Sequence, residues 1–333
     1  MNSAVRRLLW TALCPLQAVY ALNNGIGLTP HMGWSSWNVA QCNAASAKYA
    51  LDTANKFISL GLKDLGYQYI NIDDCWKYDN CYTPCLDNPP PQTCQRPSAN
   101  TKTWYAPMRD AIVSAQDKRK IHFNLCNWGR DSVWTWGADF GHSWRMSVDN
   151  WGDWASVERI GSAAAGIHQY SAPGGFNDLD MLYLGSSKLN ANQERLHFGL
   201  WAIAKSPLVL GLDLNKISDS TLAIIRNKGI IDINQDRLGK AATTFTPPGS
   251  AAPVSGKIHP YWTGPLSDGV VIGLCAGTSA GKYGVNFKDV PGLGAGSYTW
   301  KEMYTGQTGT GTSVSFDIAL HDMRVIKVTT VTH

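Results

Sequence analysis

The feature that most limits the fold is an alternation of strand-like and helix-like segments between residues 32 and 230. Short apolar runs alternate there with amphipathic stretches and no antiparallel hairpin signals, which is typical of a parallel α/β architecture. Several runs end in a polar or acidic residue, as expected of a βα barrel whose carboxyl strand ends surround an active site. The predicted strands cover residues 32–37, 67–73, 121–126, 144–149, 176–182 and 207–213. The predicted helices cover residues 46–62, 104–116, 190–204 and 217–227.

The composition changes after about Leu238. A Pro/Gly/Ser-rich linker spans 244–256, and short Val/Tyr/Thr-rich runs separated by turn signals follow it. Such runs predict a small all-β unit, a sandwich. We therefore expect a signal peptide, a (β/α) barrel, the linker and a C-terminal β-sandwich at residues 1–21, 22–243, 244–256 and 257–333.

The N-terminus has the pattern of a secretory signal. Arg6 and Arg7 precede an apolar run of about fourteen residues, with a small-residue cleavage site after Ala21. The run is too short to span a bilayer, so we expect a secreted, extracellular protein without a membrane segment. Secretion makes the cysteines candidates for disulfides, and seven remain after Cys14 leaves with the signal. Since seven is odd, at least one thiol must stay unpaired.

Charge and motifs exclude several functions. Charged residues make up 16% of the chain and the net charge is +4 without a basic block, which disfavours nucleic-acid or acidic-membrane partners. The patterns for an acyl-transfer nucleophile, a dinucleotide or phosphate loop and a helical zinc site are all absent. What remains is carboxylates at strand ends among 14 Trp and 13 Tyr. A pair of carboxylates is the equipment of glycoside hydrolysis, whereas a single strand-end Asp is more often a helix cap.

Five motifs, in this order, resemble the melibiase family of glycoside hydrolases. The family comprises α-galactosidases and α-N-acetylgalactosaminidases, and the resemblance implies a (β/α)8 TIM barrel followed by an antiparallel β-sandwich. It runs from about residue 27 to the C-terminus. The motifs are "GLTPHMGWSSWN" (27–38), "YINIDDCW" (69–76), "KYDNC" (77–81), "RMSVD" (145–149) and "PGGFNDLDML" (173–182).

The resemblance assigns the chemistry to two aspartates. Asp79 is the expected nucleophile and Asp149 the expected acid/base of a reaction that retains the anomeric configuration. Retaining glycosidases hold such carboxyl groups about 5–5.5 Å apart. No metal and no organic cofactor is implied.

The resemblance also implies a substrate-binding set. Asp73 and Asp74 would bind the galactose hydroxyls, Trp34 would stack on the ring, and Asp180 would lie at the pocket wall. Lys77 and Arg145 would hold hydroxyls near the scissile bond, and Asn127 would face the sugar's C2 substituent.

The implied substrates are galacto-oligosaccharides and galactomannans, from which terminal α-linked galactose is released. Asn127 stands where galactose-specific relatives often carry Glu, so an α-N-acetylgalactosaminidase remains an alternative. A catalytically dead galactose-binding protein is a further alternative.

The stretch "IDDCWKYDNC" (72–81) departs from the family pattern. In the family its first half ends the second barrel strand and its second half ends the fourth. Parallel neighbours need a crossover of a dozen or more residues, and a full barrel needs about 250 residues. We therefore expect a barrel that lacks about two βα units between Trp76 and Lys77, in a spliced or mispredicted form of a family member.

The cysteines agree with a missing segment. The resemblance pairs Cys42 with Cys75 and Cys85 with Cys94. It leaves Cys81 without its partner, which would lie in the absent stretch. That explains the odd count.

Overall fold

The computed structural model describes residues 22, 24–41, 46–72, 101–115, 118 and 120–331. Its N-terminal part contains short parallel strands separated by helices. The strands are β1 (Met32–Ser35), β2 (Tyr69–Asn71), β3 (Asn124–Leu125), β4 (Ser143–Arg145), β5 (Phe176–Asp178) and β6 (Leu208–Leu210). The helices are α1 (Trp37–Ala40), α2 (Ala47–Ser59), α3 (Lys102–Ala115), α4 (Trp154–Ala164), α5 (Ala191–Ile203), α6 (Asp219–Ile225) and α7 (Lys228–Asn234).

The strands form an arc of a barrel. Two three-stranded parallel sheets have the orders β2-β1-β6 and β3-β4-β5, and a parallel bridge between Leu182 and Leu210 links the chain after β5 to β6. Among the described residues no strand pairing joins β2 to β3, and residues 73–100 lie between these two strands in sequence. The missing units are expected in this interval, and the described residues supply six parallel strands where a TIM barrel has eight.

Each of these strands overlaps a predicted run, but every predicted run is longer than its strand, and at β4 and β5 the difference moves predicted site residues off the strands. β4 ends at Arg145 and β5 at Asp178, so Asp149 and Asp180 lie on the following loops. The chain leaves β5 because Asp180 has a left-handed backbone (φ 78°) and donates its N–H to the Asp178 carboxylate at 2.8 Å. This bonding within the loop replaces the strand ladder.

Polar caps fix where several helices begin. Ser46, Asp153 and Ser218 each accept a backbone N–H from the first turn of α2, α4 and α6. Asn190 forms a reciprocal capping box with Gln193 at α5. The four predicted helices are present as α2, α3, α5 and α6, whereas α1, α4 and α7 were not predicted.

From Leu196 to Ile203, helix α5 is buried on all sides because it lies between the barrel and the C-terminal sheet. Nine of its residues are buried, and the apolar side chains of Leu200 and Trp201 belong to one core with Val271 and Met323 of that sheet. A helix that is apolar all round is expected in such a position. The two parts of the chain therefore share one hydrophobic core.

The C-terminal part is an antiparallel sandwich, as predicted. Its strands are β7 (Thr243–Thr244), β8 (Tyr261–Leu266), β9 (Gly269–Cys275), β10 (Gly281–Asn286), β11 (Tyr298–Glu302), β12 (Thr308–Gly311), β13 (Ser313–Ile318) and β14 (Met323–Thr330). A six-stranded sheet of order β12-β11-β14-β9-β8-β7 packs against the antiparallel pair β10-β13 around a second core that includes Ile272, Val285 and Ile326. The predicted boundary between residues 243 and 244 falls within β7.

Candidate active site

Charged side chains converge where β4 and β5 end. Arg145 is the last residue of β4 and lies opposite Asp178, the last residue of β5. Its Nη2 is 2.8 Å from Asp149 Oδ1 and 2.8 Å from Asp180 Oδ2. One guanidinium thus joins a carboxylate on the loop after β4 to a carboxylate on the loop after β5.

Asp180 is the buried anchor of this group. Its Oδ1 accepts the N–H of Met181 at 2.7 Å, and its Oδ2 accepts the N–H of Asn150 at 2.7 Å in addition to Arg145. Burial raises the pKa of Asp180 to about 6, although the charge of Arg145 opposes the rise. The side chain is therefore a carboxylate at neutral pH. Both of its oxygens are bound by protein donors, which suits an orienting role.

Arg145 remains charged although it is buried. Burial alone lowers the pKa of its guanidinium, but the surrounding carboxylates, Asp180 first, reverse this and raise the pKa above its ordinary value. Asp178 links this group to β3. Its Oδ1 accepts the N–H of Asp180 at 2.8 Å, and its Oδ2 accepts a hydrogen bond from Nδ2 of Asn124 at 2.5 Å. The carboxyl ends of β3, β4 and β5 are thus joined by polar side chains.

Asp149 is the half-exposed member of the group. Its side chain is 45% exposed, against 5% for Asp180. Arg159 of α4 holds the loop that carries it: Nη2 donates to the Asp149 carbonyl at 2.9 Å and Nη1 to Ser147 Oγ at 2.7 Å. A carboxyl group on a fixed backbone that solvent can reach meets the geometric need of a general acid and base.

A cavity of about 420 Å³ lies inside the barrel beside these charges. Arg145, Asp178 and Asp180 line one part of it, and His31 and His122 line another. Its volume falls in the range of small-ligand sites. Of the predicted substrate-binding residues, Trp34, Arg145 and Asp180 line it.

Trp34 lies at the wall of this cavity but is packed in the protein. It is 2% exposed, its indole N–H donates to the Leu212 carbonyl at 2.8 Å, and its ring stacks on Tyr49 with centroids 5.9 Å apart. The indole is therefore fixed in place. Its predicted stacking on a sugar stays a prediction.

Asn127, two residues after β3, is buried and does not line the cavity. Its Nδ2 donates to Thr101 Oγ1 at 3.0 Å, and its Oδ1 has no hydrogen-bond partner among the described residues. The loop after it has positive φ at Trp128 (61°), Asp131 (51°) and Ser132 (50°). Such backbone strain clusters at functional sites, which is consistent with a functional loop. Its contact with the sugar's C2 substituent stays a prediction.

Several predicted residues lie outside the described residues. They include the nucleophile Asp79, so its separation from Asp149 stays a prediction, as do the signal peptide and the disulfides. The others are Asp73, Asp74, Lys77, Cys42, Cys75, Cys81, Cys85 and Cys94.

Sequence reasoning missed residues that hold the site together. Asn150 ties the loop after β4 to Asp180 and to the Met181 carbonyl at 3.1 Å, and Arg159 acts from one turn inside α4. Asn150 follows Asp149 directly, and its position beside a predicted acid/base is the signal that could have found it. Arg159 carries no such signal, because its contact depends on how α4 packs.

The described part of the chain contains neither a helix long and apolar enough to cross a membrane nor a group of three or more His, Cys, Asp or Glu side chains placed to hold a metal.

An arc of parallel strands with charged carboxyl ends, joined to an antiparallel sandwich, defines a two-domain βα-barrel protein of the glycoside hydrolase type. Comparison with known proteins gives the family. The model of "Alpha galactosidase A" matches residues 29–85 and 93–236, and that of the "Alpha galactosidase C-terminal beta sandwich domain" matches residues 257–328. The chain belongs to this melibiase family.

Relatives agree with the assignment. The α-galactosidase of Lachancea cidri is 31% identical over 80% of this chain and 75% of its own, and α-galactosidase 3 of Arabidopsis thaliana is 30% identical over 76% and 70%. Among solved structures, α-galactosidase I of Mortierella vinacea has a TM-score of 0.79 and 27% identity over 93% of this chain and 99% of its own. An α-galactosidase of Saccharomyces cerevisiae solved with raffinose (TM-score 0.72, 22% identity, 92% and 98% coverage) shows the shared fold.

The alignments are also consistent with a missing internal segment. The match to the Lachancea cidri enzyme runs over 365 positions, whereas 80% of a 333-residue chain is about 266 residues. About a hundred positions of that relative therefore have no counterpart here. The split of the barrel-domain match into 29–85 and 93–236 agrees with an interruption in this region.

Proposed function

We propose that the chain is an α-galactosidase that releases terminal α-linked galactose from galacto-oligosaccharides and galactomannans with retention of configuration. The observation that carries the proposal is the Arg145 bridge between half-exposed Asp149 and buried Asp180, at the strand ends where the active sites of βα barrels lie. Membership of the family supports galactoside hydrolysis.

The reaction requires two carboxyl groups. In the first step the Asp79 carboxylate attacks the anomeric carbon while Asp149 gives its proton to the leaving oxygen, forming a galactosyl ester and a free alcohol. In the second step Asp149 takes a proton from water, and the hydroxide attacks the same carbon and releases Asp79. Two inversions give net retention.

The described residues supply positioning and electrostatics. Asp180 fixes Arg145, Arg145 fixes the carboxylate of Asp149, and Arg159 fixes its backbone. Both loops that carry the aspartates are thereby tied together, so the proton donor does not need to be ordered when substrate binds. Such pre-organisation is a large part of what an enzyme contributes.

The cellular setting is part of the proposal. The N-terminal pattern supports secretion after cleavage behind Ala21. In that compartment Cys42–Cys75 and Cys85–Cys94 would form disulfides. Peptide mapping of the secreted protein under non-reducing conditions tests both statements, since it reads the mature N-terminus and the linked peptides together.

The test of the function is hydrolysis of p-nitrophenyl α-galactoside by the purified chain, next to Asp149→Asn and Asp79→Asn. Turnover that falls at least about a hundredfold in each variant supports the proposal. If the chain hydrolyses p-nitrophenyl α-N-acetylgalactosaminide faster than the α-galactoside, the chain is an α-N-acetylgalactosaminidase instead. Galactose binding measured by calorimetry, without turnover of either glycoside by the folded chain, would show a binding protein instead.

A further inference from the structure

The turn between β13 and β14 of the sandwich, residues 319–322, packs against helix α4 of the barrel. The imidazole of His321 stacks on the indole of Trp154, with ring centroids 4.1 Å apart and planes inclined by 28°. Trp154 is the first residue of α4 and directly follows Asp153, whose carboxylate caps the helix. The sandwich thus contacts α4 at the helix end that adjoins the loop carrying Asp149.

A salt bridge makes a second link between α4 and the C-terminal part. Glu158 stands four residues after Trp154, so the two side chains lie on the same side of the helix. Glu158 Oε2 is 2.6 Å from Nζ of Lys257, and the Glu158 side chain is largely buried. The C-terminal part therefore holds α4 at two successive turns.

Other side chains of α4 hold the loop that carries Asp149. Ser156 Oγ donates to Asn150 Oδ1 at 2.9 Å, and Arg159 donates to the Asp149 carbonyl at 2.9 Å. Successive residues of a helix are turned by about 100°, so Ser156 and Arg159 lie on other sides of α4 than the two residues that contact the C-terminal part. One helix therefore connects the sandwich turn with the loop of the expected acid/base.

The sandwich turn is itself held firmly. The carboxylate of Asp322 accepts hydrogen bonds from Nε and Nη2 of Arg195, on α5, at 3.0 Å and 2.8 Å. Asp322 is buried, and such a bidentate pair fixes the relative geometry of its two partners. The turn can therefore act as a fixed support for the residue that precedes Asp322.

That residue, His321, has a backbone conformation that glycine would adopt at less cost. Its φ is 61°, in the left-handed region, and its N–H donates to the Ala276 carbonyl at 2.8 Å. Its Nδ1 accepts a hydrogen bond from Nε2 of Gln193 at 3.2 Å. Backbone strain of this kind clusters at functional sites. The stack on Trp154 is a contact that glycine could not make.

We propose that the sandwich positions the acid/base of the barrel, with His321 as a positioning residue that acts through Trp154 and α4. The inference rests on the proposed function, because it gives the sandwich a part in the proton transfer of that reaction. The acid must lie within hydrogen-bond reach of the leaving oxygen, and a displacement of about 1 Å can cost about a hundredfold in rate. His321 fixes the helix from which Ser156 and Arg159 hold the loop of Asp149.

The test is steady-state hydrolysis of p-nitrophenyl α-galactoside and of the disaccharide melibiose by the full chain and by His321→Gly. Glycine suits the left-handed backbone and removes only the ring. A sugar leaving group needs the proton of the acid more than p-nitrophenolate does. We expect kcat/KM to fall about 3- to 10-fold on melibiose and less than about twofold on the aryl substrate. The ratio of the two values does not depend on the fraction of the protein that is folded.

Two further variants are controls. His321→Phe keeps a ring against the Trp154 indole and should restore most of the kcat/KM on melibiose. Ser267→Ala removes a link between the two parts that does not involve α4, because Ser267 Oγ donates to Asp236 Oδ2 at 2.7 Å. This variant should leave the ratio of the two kcat/KM values unchanged.

The outcomes separate the inference from the proposed function. If His321→Gly leaves the ratio unchanged while the unsubstituted chain hydrolyses both substrates, the positioning role is refuted and the proposed function stands. An equal change of the ratio in Ser267→Ala also refutes it, because any weakened link between the two parts would then have the same effect. If the folded, unsubstituted chain hydrolyses neither substrate, the proposed function fails and the inference fails with it.

Discussion

Three histidines meet at the end of the barrel opposite the active site. His31, His122 and His142 each come one or two residues before a strand, and their rings lie 4.4 Å and 4.9 Å apart between centroids. His142 Nδ1 accepts the N–H of Phe123 at 3.1 Å, which requires the neutral ring. Burial lowers the pKa of His31 to about 4 and the pKa of His142 to about 4. Burial, together with the other two rings, also lowers the pKa of His122.

These shifts make the fold sensitive to acid. The folded pKa values lie below the ordinary value of about 6.5, so the unfolded chain binds more protons and stability falls as pH drops below 6.5. At pH 5, linkage gives a loss of about 2 kcal/mol for each of His31 and His142 relative to pH 7.5. The nearby charge of Asp178 opposes this loss at His31. About 4 kcal/mol is a large part of the 5–15 kcal/mol that stabilises an ordinary domain.

The assay is chemical unfolding at pH 7.5, 6.5, 5.5 and 5, with His31→Phe as the matched variant. Phenylalanine keeps the ring contacts with Tyr69 and His122 but cannot titrate, and His31 Nδ1 has no hydrogen-bond partner among the described residues to be lost. The variant should lose about 2 kcal/mol less than the parent between pH 7.5 and pH 5. Equal losses in the two proteins, or a stability that does not change over this range, would refute the reasoning.

Two further predictions concern the loop that carries the acid/base. Arg159→Gln should lower kcat about tenfold with little change in KM, because the Asp149 backbone loses its guanidinium anchor. Arg159→Lys should restore part of the rate. Steady-state kinetics measure both variants, and an unchanged kcat in Arg159→Gln contradicts the anchoring role. Gly152→Ala should lower stability by about 1–3 kcal/mol, since its φ is 71° and the added Cβ meets Tyr183. Gly166→Ala, which meets no atom within 4 Å, is the control, and equal melting temperatures would contradict the packing argument.

The strands could be predicted from the sequence because buried parallel strands are short apolar runs between helices. The ends of β4 and β5 could not, since hydrogen bonds between the loops, such as that from Asn150 to Asp180, fix where the strands stop. The departure from the family's strand order could be read from the sequence, because two phrases that end different strands in the family stand side by side at residues 72–81. Among the described residues, no strand pairing joins β2 to β3.

The motifs placed Arg145 and Asp149 in the same predicted site, but with separate roles, on substrate hydroxyls and as acid/base. Their ion pair at 2.8 Å was not predicted. The third member, Asp180, was expected at a pocket wall and is a buried anchor whose oxygens bind protein donors. That difference depends on how close the loops after β4 and β5 come, which only the packed barrel determines.

The histidine cluster carries a signal that sequence reasoning did not use. Three histidines occupy the same place relative to the starts of three parallel strands, at 31, 122 and 142. Parallel strands bring such positions to one end of the barrel, so residues about a hundred positions apart become neighbours. Scattered histidines thus formed a group that their spacing along the chain conceals.

The most direct test of the central claim is the activity of Asp149→Ala on two substrates with different leaving groups. An acid catalyst matters more for a sugar leaving group than for p-nitrophenolate, so the variant should lose much more activity on melibiose than on p-nitrophenyl α-galactoside. Azide, which needs no base, should restore turnover of the aryl substrate and give α-galactosyl azide. Equal losses on both substrates without azide rescue would contradict the assignment of Asp149 as the acid/base.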